Sequence, residues 1–307
     1  AAIDRRDDRH RTTVTGHIGT EFGYDDNVNR APDARSIDVG FGTLLLDDES
    51  RDQSDAFLGV DARVQVSRPL RPGLNLIGSL SGSTQRHQDE SDFDTTRAGG
   101  NIGLRWIQGP HRISGFFQAE RFYVGADPYQ GYGGLSGKYR YRVTERTSVH
   151  TTAQVTRLRY DTLEELDSTL GLVGAGLSTA WGGGWHPRGR FTLLAGAEDA
   201  EEDSQRAQAL AERDILEFRG RFAVTPVPQW TLDASLRWRN SDYETNTFPF
   251  PEARDEDYYS LDLGLHWRPT ANWRLGPTIT YSRNDANLEL YEYERSVIGF
   301  EARYTFF

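Results

Sequence analysis

The sequence lacks cysteine and methionine, contains one lysine, Lys138, and has no long hydrophobic run. Without cysteine, a disulfide framework and thiolate metal sites are excluded. The most apolar segments, 170–177 and 191–195, are far shorter than the roughly 18 residues that a membrane-spanning helix needs. A net charge of −11 argues against a nucleic-acid partner. The mean hydropathy of −0.66 suits a soluble protein, but also a barrel whose alternate residues face water.

What the sequence does contain is a regular series of turn signals. Six of them, most rich in Gly or Pro, recur at residues 69–73, 109–110, 144–147, 182–187, 226–228 and 269–270. Between them, apolar and polar residues alternate over about ten positions, the length of a tilted membrane strand. Residues 58–66, 74–80, 230–238 and 259–267 are the clearest examples. Six tight turns predict seven hairpins, hence about fourteen strands with both termini on the tight-turn side.

Aromatic residues favour a membrane barrel over a soluble sandwich or a β-propeller. Propeller blades need four short strands each, and the alternation here runs too long for them. The chain also ends in an alternating strand, 298–307, that finishes with aromatic residues. Six of the seven tryptophans lie close to a tight turn, where a periplasmic aromatic girdle is expected. These six are Trp106, Trp181, Trp185, Trp230, Trp267 and Trp273.

The pattern therefore predicts an all-β fold, a transmembrane antiparallel up-and-down β-barrel in the bacterial outer membrane, with short periplasmic turns and long extracellular loops. We expect residues 1–11 to form a periplasmic lead-in and residues 12–307 to form the barrel, complete as a membrane domain. The chain begins without a signal peptide, which indicates a processed chain or a fragment. The expected partners are outer-membrane lipid, lipopolysaccharide and, through the last strand, the barrel-assembly machinery.

The predicted extracellular loops are longer and more acidic than the turns. They comprise residues 25–54, 161–167, 198–214 and 241–257. The first is the largest, and within it residues 37–46 alternate weakly, which predicts either a hairpin above the rim or a segment folded into the lumen. Gly276-Pro277 falls inside the thirteenth strand and predicts a β-bulge, because proline cannot donate to the ladder.

Strand parity also predicts what lines the lumen. If the apolar positions face lipid, the opposite positions are mostly basic and face enclosed water. The predicted basic lining is Arg63, Arg97, Arg105, Lys138, Arg140, Arg142, Arg219, Arg221, Arg237, Arg239, Arg274 and Arg303. The acidic lining is Asp61, Glu120, Glu217, Asp233, Asp262 and Glu301. Such a lining either selects polar or anionic solutes or cross-links the barrel and plugs it, and the second interpretation is favoured because arginine side chains fill a narrow bore.

The sequence offers little support for catalysis, a metal or a cofactor, and none of the three is expected. Ser148 and His150 share a strand face, but no third catalytic partner is evident. His17 and His266 resemble ordinary barrel histidines. Residues 25–29 begin like a calcium loop, but Arg30 replaces the required glycine and Ser36 stands where a glutamate is needed. A solvated acidic loop is the simpler interpretation.

The first strand and its loop carry a family resemblance. The segment Gly23-Tyr24-Asp25-Asp26-Asn27-Val28-Asn29, with the later Asp55-Ala56-Phe57 and Arg68-Pro69-Leu70, resembles the C-terminal barrel of the surface lipoprotein assembly modifiers, known as Slam. The resemblance implies a barrel of about fourteen strands that carries or displays a secreted protein or lipoprotein cargo on the cell surface, usually behind a periplasmic tetratricopeptide-repeat domain. Barrels of exopolysaccharide export carry a comparable Tyr-Asp-Asn opening, so the barrel of an exopolysaccharide export system is an alternative and the cargo stays open.

Three functions follow from these observations. The first is protein translocation or surface display, on the basis of the resemblance. The second is a monomeric diffusion porin for small polar or anionic solutes, on the basis of the basic lining. A membrane enzyme is the least supported of the three.

Overall fold

A computed structural model describes residues 11–34, 36–38, 43–47, 50–246 and 250–306. Fourteen strands form a closed antiparallel barrel in which sequence neighbours pair and the first strand closes on the last. The barrel strands are β1 (Thr13–Asp25), β4 (Asp55–Arg71), β5 (Leu74–His87), β6 (Thr95–Gln108), β7 (His111–Val124), β8 (Asp127–Arg142), β9 (Thr147–Tyr160), β10 (Ser168–Ala180), β11 (Arg188–Ala200), β12 (Arg213–Val227), β13 (Trp230–Tyr243), β14 (Asp255–Trp267), β15 (Trp273–Ala286) and β16 (Tyr293–Phe306). The predicted fold class and strand number are confirmed. In the described part of the chain, no helix has the length and apolar character needed to cross a membrane.

The alternation in the sequence becomes a barrel with two faces. Large apolar side chains are exposed on one face of every strand, as Leu58, Val64 and Leu80 illustrate. Val64 pairs directly with Leu80, and Leu80 is 74% exposed, so the apolar face points away from the enclosed space. This outward apolar band is what a lipid environment requires.

The six tight turns lie where the sequence places them. Three of them use glycine at positive φ: Gly73 with φ 79°, Gly109 with φ 56° and Gly183 with φ 123°. The opposite side of the barrel carries the longer connections, with one exception. Gly125, with φ 60°, makes a short turn between β7 and β8 on that side.

The extracellular loops pack against one another. The first loop contains a short hairpin of β2 (Ser36–Asp38) and β3 (Thr43–Leu45), where the sequence alternates weakly. Ile37 in this hairpin is fully buried against Phe250 and Leu288, which come from two other loops. The hairpin therefore belongs to a hydrophobic cluster of loops. Most of the predicted lead-in, residues 1–10, lies outside the described residues.

A short helix stands where only an acidic loop is expected from the sequence. Helix α1 (Gln205–Ala211) begins at Ser204, whose hydroxyl accepts a hydrogen bond from the Ala207 amide at 3.2 Å. Ala207, Ala209 and Ala211 are buried. The acidic flanks of this segment obscure the small apolar face that the helix uses.

The bulge expected at Gly276-Pro277 is absent. The register between β15 and β16 continues through both residues without a shift. Pairing with β14 lapses between the Gly264–Thr278 and Trp267–Leu275 pairs, and it resumes in the same register. The proline is therefore accommodated by a local interruption of the β14–β15 hydrogen-bond ladder, without an inserted residue. The backbones approach closely here, because a Cβ on Gly276 would lie 1.8 Å from the Leu265 carbonyl oxygen.

The seam between the first and last strands is fastened at its extracellular end. The carboxylate of Asp25 is fully buried and accepts hydrogen bonds from Nε of Arg295 at 2.9 and 3.0 Å. The Asn27 side chain donates to the carbonyl oxygens of Ala31 at 2.9 Å and Glu294 at 2.8 Å. The oxygen-rich segment after β1 therefore holds the first loop to β16.

Candidate functional site in the barrel lumen

Every basic and acidic residue that strand parity assigns to the lumen lies on the strand face opposite to the exposed apolar side chains of its strand. Three of them contact polar or aromatic neighbours: Arg63 donates to Ser79 Oγ at 2.9 Å, Arg97 lies 4.7 Å from the Phe122 ring centre, and Asp262 accepts from Thr280 at 2.8 Å. That these residues line a solute path stays a prediction.

One side of this face is neutralised around Glu217. Its side chain is fully buried and forms salt bridges to Arg219, Arg237 and Arg239. The Glu217 Oε2 lies 2.9 Å from Arg237 Nη2 and 2.8 Å from Arg239 Nε. The alternation of β12 and β13 produces this contact, because residues 217 and 239 are direct cross-strand partners. One carboxylate here holds three guanidinium groups in place.

The same pattern continues toward the seam. Glu301 pairs with Arg274 at 2.8 Å and with Arg303 at 2.8 Å. Asp61 lies 2.9 Å from His17 Nε2 and 3.4 Å from Arg303. These strands, together with β12 and β13, form what we call the paired wall, made of β12–β16, β1 and β4. On β13 and β14, Asp233 and His266 lie 3.0 Å apart and extend it.

The other side of the lumen is basic at its tight-turn end. We call this part the unpaired wall, made of the tight-turn half of β6–β11 with Arg221 of β12; toward the loops, Glu198 of β11 pairs with Arg213 of β12 at 2.8 Å. Among the residues that the structure describes, none forms a salt bridge with the enclosed basic side chains of this half. These side chains are Arg105, Arg112, Lys138, Arg140, Arg142, Arg188, Arg190 and Arg221. Nε of Arg105 and Nε of Arg140 are buried without a hydrogen-bond partner.

Strand register places like charges opposite one another on this wall. Arg112 pairs directly with Arg140 across β7 and β8. Arg190 pairs directly with Arg221 across β11 and β12. Like charges in directly opposed positions are destabilising by some tenths of a kcal/mol or more. The paired wall has opposed arginines too, Arg219 with Arg237 and Arg274 with Arg303, but Glu217 and Glu301 form salt bridges with them. The unpaired wall therefore carries an electrostatic cost that carboxylates offset on the paired wall.

An open cavity of about 570 Å³ lies beside these residues at the tight-turn end of the barrel. It is lined by Arg112, Arg140, Arg142, Arg188, Arg190 and Arg221, with Ser148, Ser178 and the turn residues 144–147. Among the lining residues that the structure describes, Glu145 is the one carboxylate. The arrangement can bind anions by charge and by the fork of N–H donors on each guanidinium.

Three members of this wall are missing from the prediction based on the sequence. Arg112, Arg188 and Arg190 lie close to tight turns, where alternation is hardest to assign. A signal is present nonetheless: Arg112 is in phase with Ser114, and Arg190 with Thr192, on the enclosed face. The interpretation of an internally cross-linked lumen fits the paired wall and not the unpaired one.

The residues considered for catalysis serve other contacts. His150 is buried, and its Nε2 lies 3.0 Å from the Thr192 hydroxyl. Ser148 lies opposite Arg142 and Ser178 in the sheet. His17 and His266 contact Asp61 and Asp233, as above. No group of three or more His, Cys, Asp or Glu side chains suited to a metal ion is present in the part of the chain that the structure describes.

The predicted girdle tryptophans lie at the tight-turn end. Trp181, Trp185, Trp230, Trp267 and Trp273 are exposed and Trp106 is partly exposed. Trp230 and Trp267 stack at 6.4 Å between ring centres. Trp273 contacts Tyr304 at 5.2 Å. Their placement in a membrane interface stays a prediction, and aromatic side chains prefer that level.

Comparisons with known proteins agree with this architecture. The sequence matches the family described as "Surface lipoprotein assembly modifier" over residues 15–210. No curated protein matches the sequence. Among solved structures, the fold is similar to the outer membrane channel DcaP of Acinetobacter baumannii, with a TM-score of 0.52 at 13% identity over 96% of this chain and 97% of that one. A loop-deletion mutant of OmpT, an outer membrane protein of Vibrio cholerae, gives a TM-score of 0.50 at 11% identity over 97% of this chain and 100% of that one.

Proposed function

The chain belongs to the surface lipoprotein assembly modifier family, and from this membership we propose that it acts in the translocation or surface display of a lipoprotein. It is a β-barrel of the bacterial outer membrane. The single observation that carries the proposal is the family match over residues 15–210, more than half of the chain. The match includes β1, the first loop and the unpaired wall on β6–β11.

Deletion of the gene tests this proposal. Intact cells of the deletion strain are treated with an external protease or labelled with antibody against their surface lipoproteins. We expect at least one lipoprotein to lose surface exposure while it remains acylated and in the outer membrane. Re-expression of the full chain should restore it. Correct display of every surface lipoprotein in the deletion strain would contradict the proposal.

A second candidate function is a diffusion channel for small polar or anionic solutes. The observation that favours it is the uncompensated basic side of the lumen, because cationic linings select anions. Planar-bilayer recordings of the refolded barrel test it. We expect ion conductance with anion preference at neutral pH. A silent membrane, or cation preference, would contradict it.

The same proposal extends to the partners of the barrel in the outer membrane. We propose that the last strand, Tyr293–Phe306, is the segment that the barrel-assembly machinery recognises, since it ends in exposed aromatic side chains. Lipopolysaccharide and outer-membrane lipid would contact the apolar band. We propose no catalytic role, since family and fold are those of transport and assembly barrels.

A further inference from the structure

We propose that the periplasmic end of the unpaired wall is a binding site for a small, multiply charged oxyanion such as a phosphate compound. The site, which we call the arginine cluster, consists of Arg112, Arg140, Arg142, Arg188, Arg190 and Arg221 around the 570 Å³ cavity. It goes beyond lipoprotein display and stands independently of it, because it rests only on the geometry and charge of these side chains.

Charge is balanced on one side of this barrel and unbalanced on the other. On the paired wall, one buried carboxylate contacts three arginines. The arginine cluster has no salt bridge to a carboxylate of any residue within the described ranges, and Glu145 is its one acidic lining residue there. A folded protein that keeps six guanidinium groups together without counter-charge gains stability when an anion binds among them.

Strand register brings the arginines of the cluster together in pairs. The cluster contains two directly opposed pairs, Arg112 with Arg140 and Arg190 with Arg221. Each pair is destabilising in isolation, and each offers two planar forks of N–H donors to a single oxyanion. Nε of Arg140 is buried with no hydrogen-bond partner among the described residues, so this donor is already desolvated. This is the unpartnered group that a bound oxygen would satisfy.

The cavity has a suitable size and is accessible from the tight-turn end. The cavity volume lies within the range of about 300–1,000 Å³ that is usual for small-molecule sites. Turn residues 144–147 form part of its lining, so it opens to the periplasmic end. The hydroxyls of Ser148 and Ser178 are further donors; Ser178 Oγ already lies 3.2 Å from Nε of Arg190. Two guanidinium pairs around one cavity match a ligand with two anionic groups, and pyrophosphate is the simplest such probe.

Calorimetric titration of the refolded, detergent-solubilised barrel with sodium pyrophosphate tests the proposal at fixed ionic strength. We expect saturable binding to one site in the wild type. The double variant Arg140→Gln with Arg190→Gln removes one member of each opposed pair. Its affinity should fall about a hundredfold, since each charge-assisted hydrogen bond contributes about a factor of ten.

Matched variants guard against loss of folding. Arg112→Gln with Arg221→Gln removes the other two members and should weaken binding to a similar degree. Arg63→Gln, which removes a lumen arginine of the paired wall, should leave the affinity unchanged. Heat-modifiable migration on gels checks that each barrel is folded. Equal pyrophosphate affinity in the wild type and both double variants would overturn the proposal, as would full displacement of pyrophosphate by an equal concentration of chloride.

Discussion

The two walls of the lumen are built from the same residue types and reach opposite electrostatic outcomes. On the paired wall, Glu217 and Glu301 lie among arginines and neutralise them. On the unpaired wall, Arg112 and Arg140 are opposed across two strands with no carboxylate between them. Strand parity is the same on both walls. Both walls contain directly opposed arginines, and the difference is whether a carboxylate lies within salt-bridge distance of them, as Glu217 does for Arg219 and Arg237.

The largest effect should come from removing the central acid of the paired wall. Glu217→Gln leaves three arginines without their common partner around a fully buried position. Since breaking a buried ion pair is strongly destabilising, we expect a loss of about 3 kcal/mol in the free energy of unfolding. Urea titration of the barrel refolded into lipid vesicles measures it. Glu120→Gln, at a partly exposed position toward the loop end of β7 and without a salt bridge to the described residues, is the matched control and should change stability by less than about 0.5 kcal/mol.

Ion selectivity should respond to the unpaired wall more strongly than to the paired one. Arg140→Gln with Arg190→Gln removes charges that no described carboxylate neutralises, so the anion-to-cation permeability ratio should fall several-fold, roughly 1 kcal/mol. Arg239→Gln, next to Glu217, should change the ratio much less. Reversal potentials in a salt gradient measure both. An equal change in the two variants would show that pairing with Glu217 does not reduce the contribution of Arg239 to ion selectivity.

On the unpaired wall, a single truncation should improve stability. Arg112→Gln relieves the opposition with Arg140 while keeping a long polar side chain. We expect a gain of about 0.5 kcal/mol in the free energy of unfolding without added anion. The same urea titration measures it. A loss of stability would mean that Arg112 makes a favourable contact that outweighs repulsion.

The smallest effect is a salt dependence. Added sodium chloride screens like-charge repulsion, so the wild-type barrel should gain a few tenths of a kcal/mol between low and physiological salt. The variant Arg112→Gln with Arg221→Gln should gain less over the same range. Unfolding at two salt concentrations checks the difference. An identical gain in both proteins would contradict repulsion as its source.

Much of the fold can be predicted from the sequence, because the alternation of apolar and polar residues is long and regular. Leu58 to Val66 and Trp230 to Trp238 predict strands that the structure contains as β4 and β13. Parity also places Arg63 and Arg237 on the enclosed face. Pairing across strands is not legible, because register depends on loop lengths that sequence alone does not fix. Helix α1 was not predicted, and the position of the hairpin with Ile37 was left open. Both depend on contacts between loops that are distant in the sequence.

The contact between Asp25 and Arg295 has a consequence for how the barrel is made. These residues are 270 positions apart, at opposite ends of the barrel sequence. Before β16 pairs with β1, the carboxylate of Asp25 lies at the open edge of the sheet without its arginine partner. Barrel closure therefore also neutralises Asp25. A chain that lacks its final strand would keep this carboxylate without the arginine partner, which disfavours burial of Asp25.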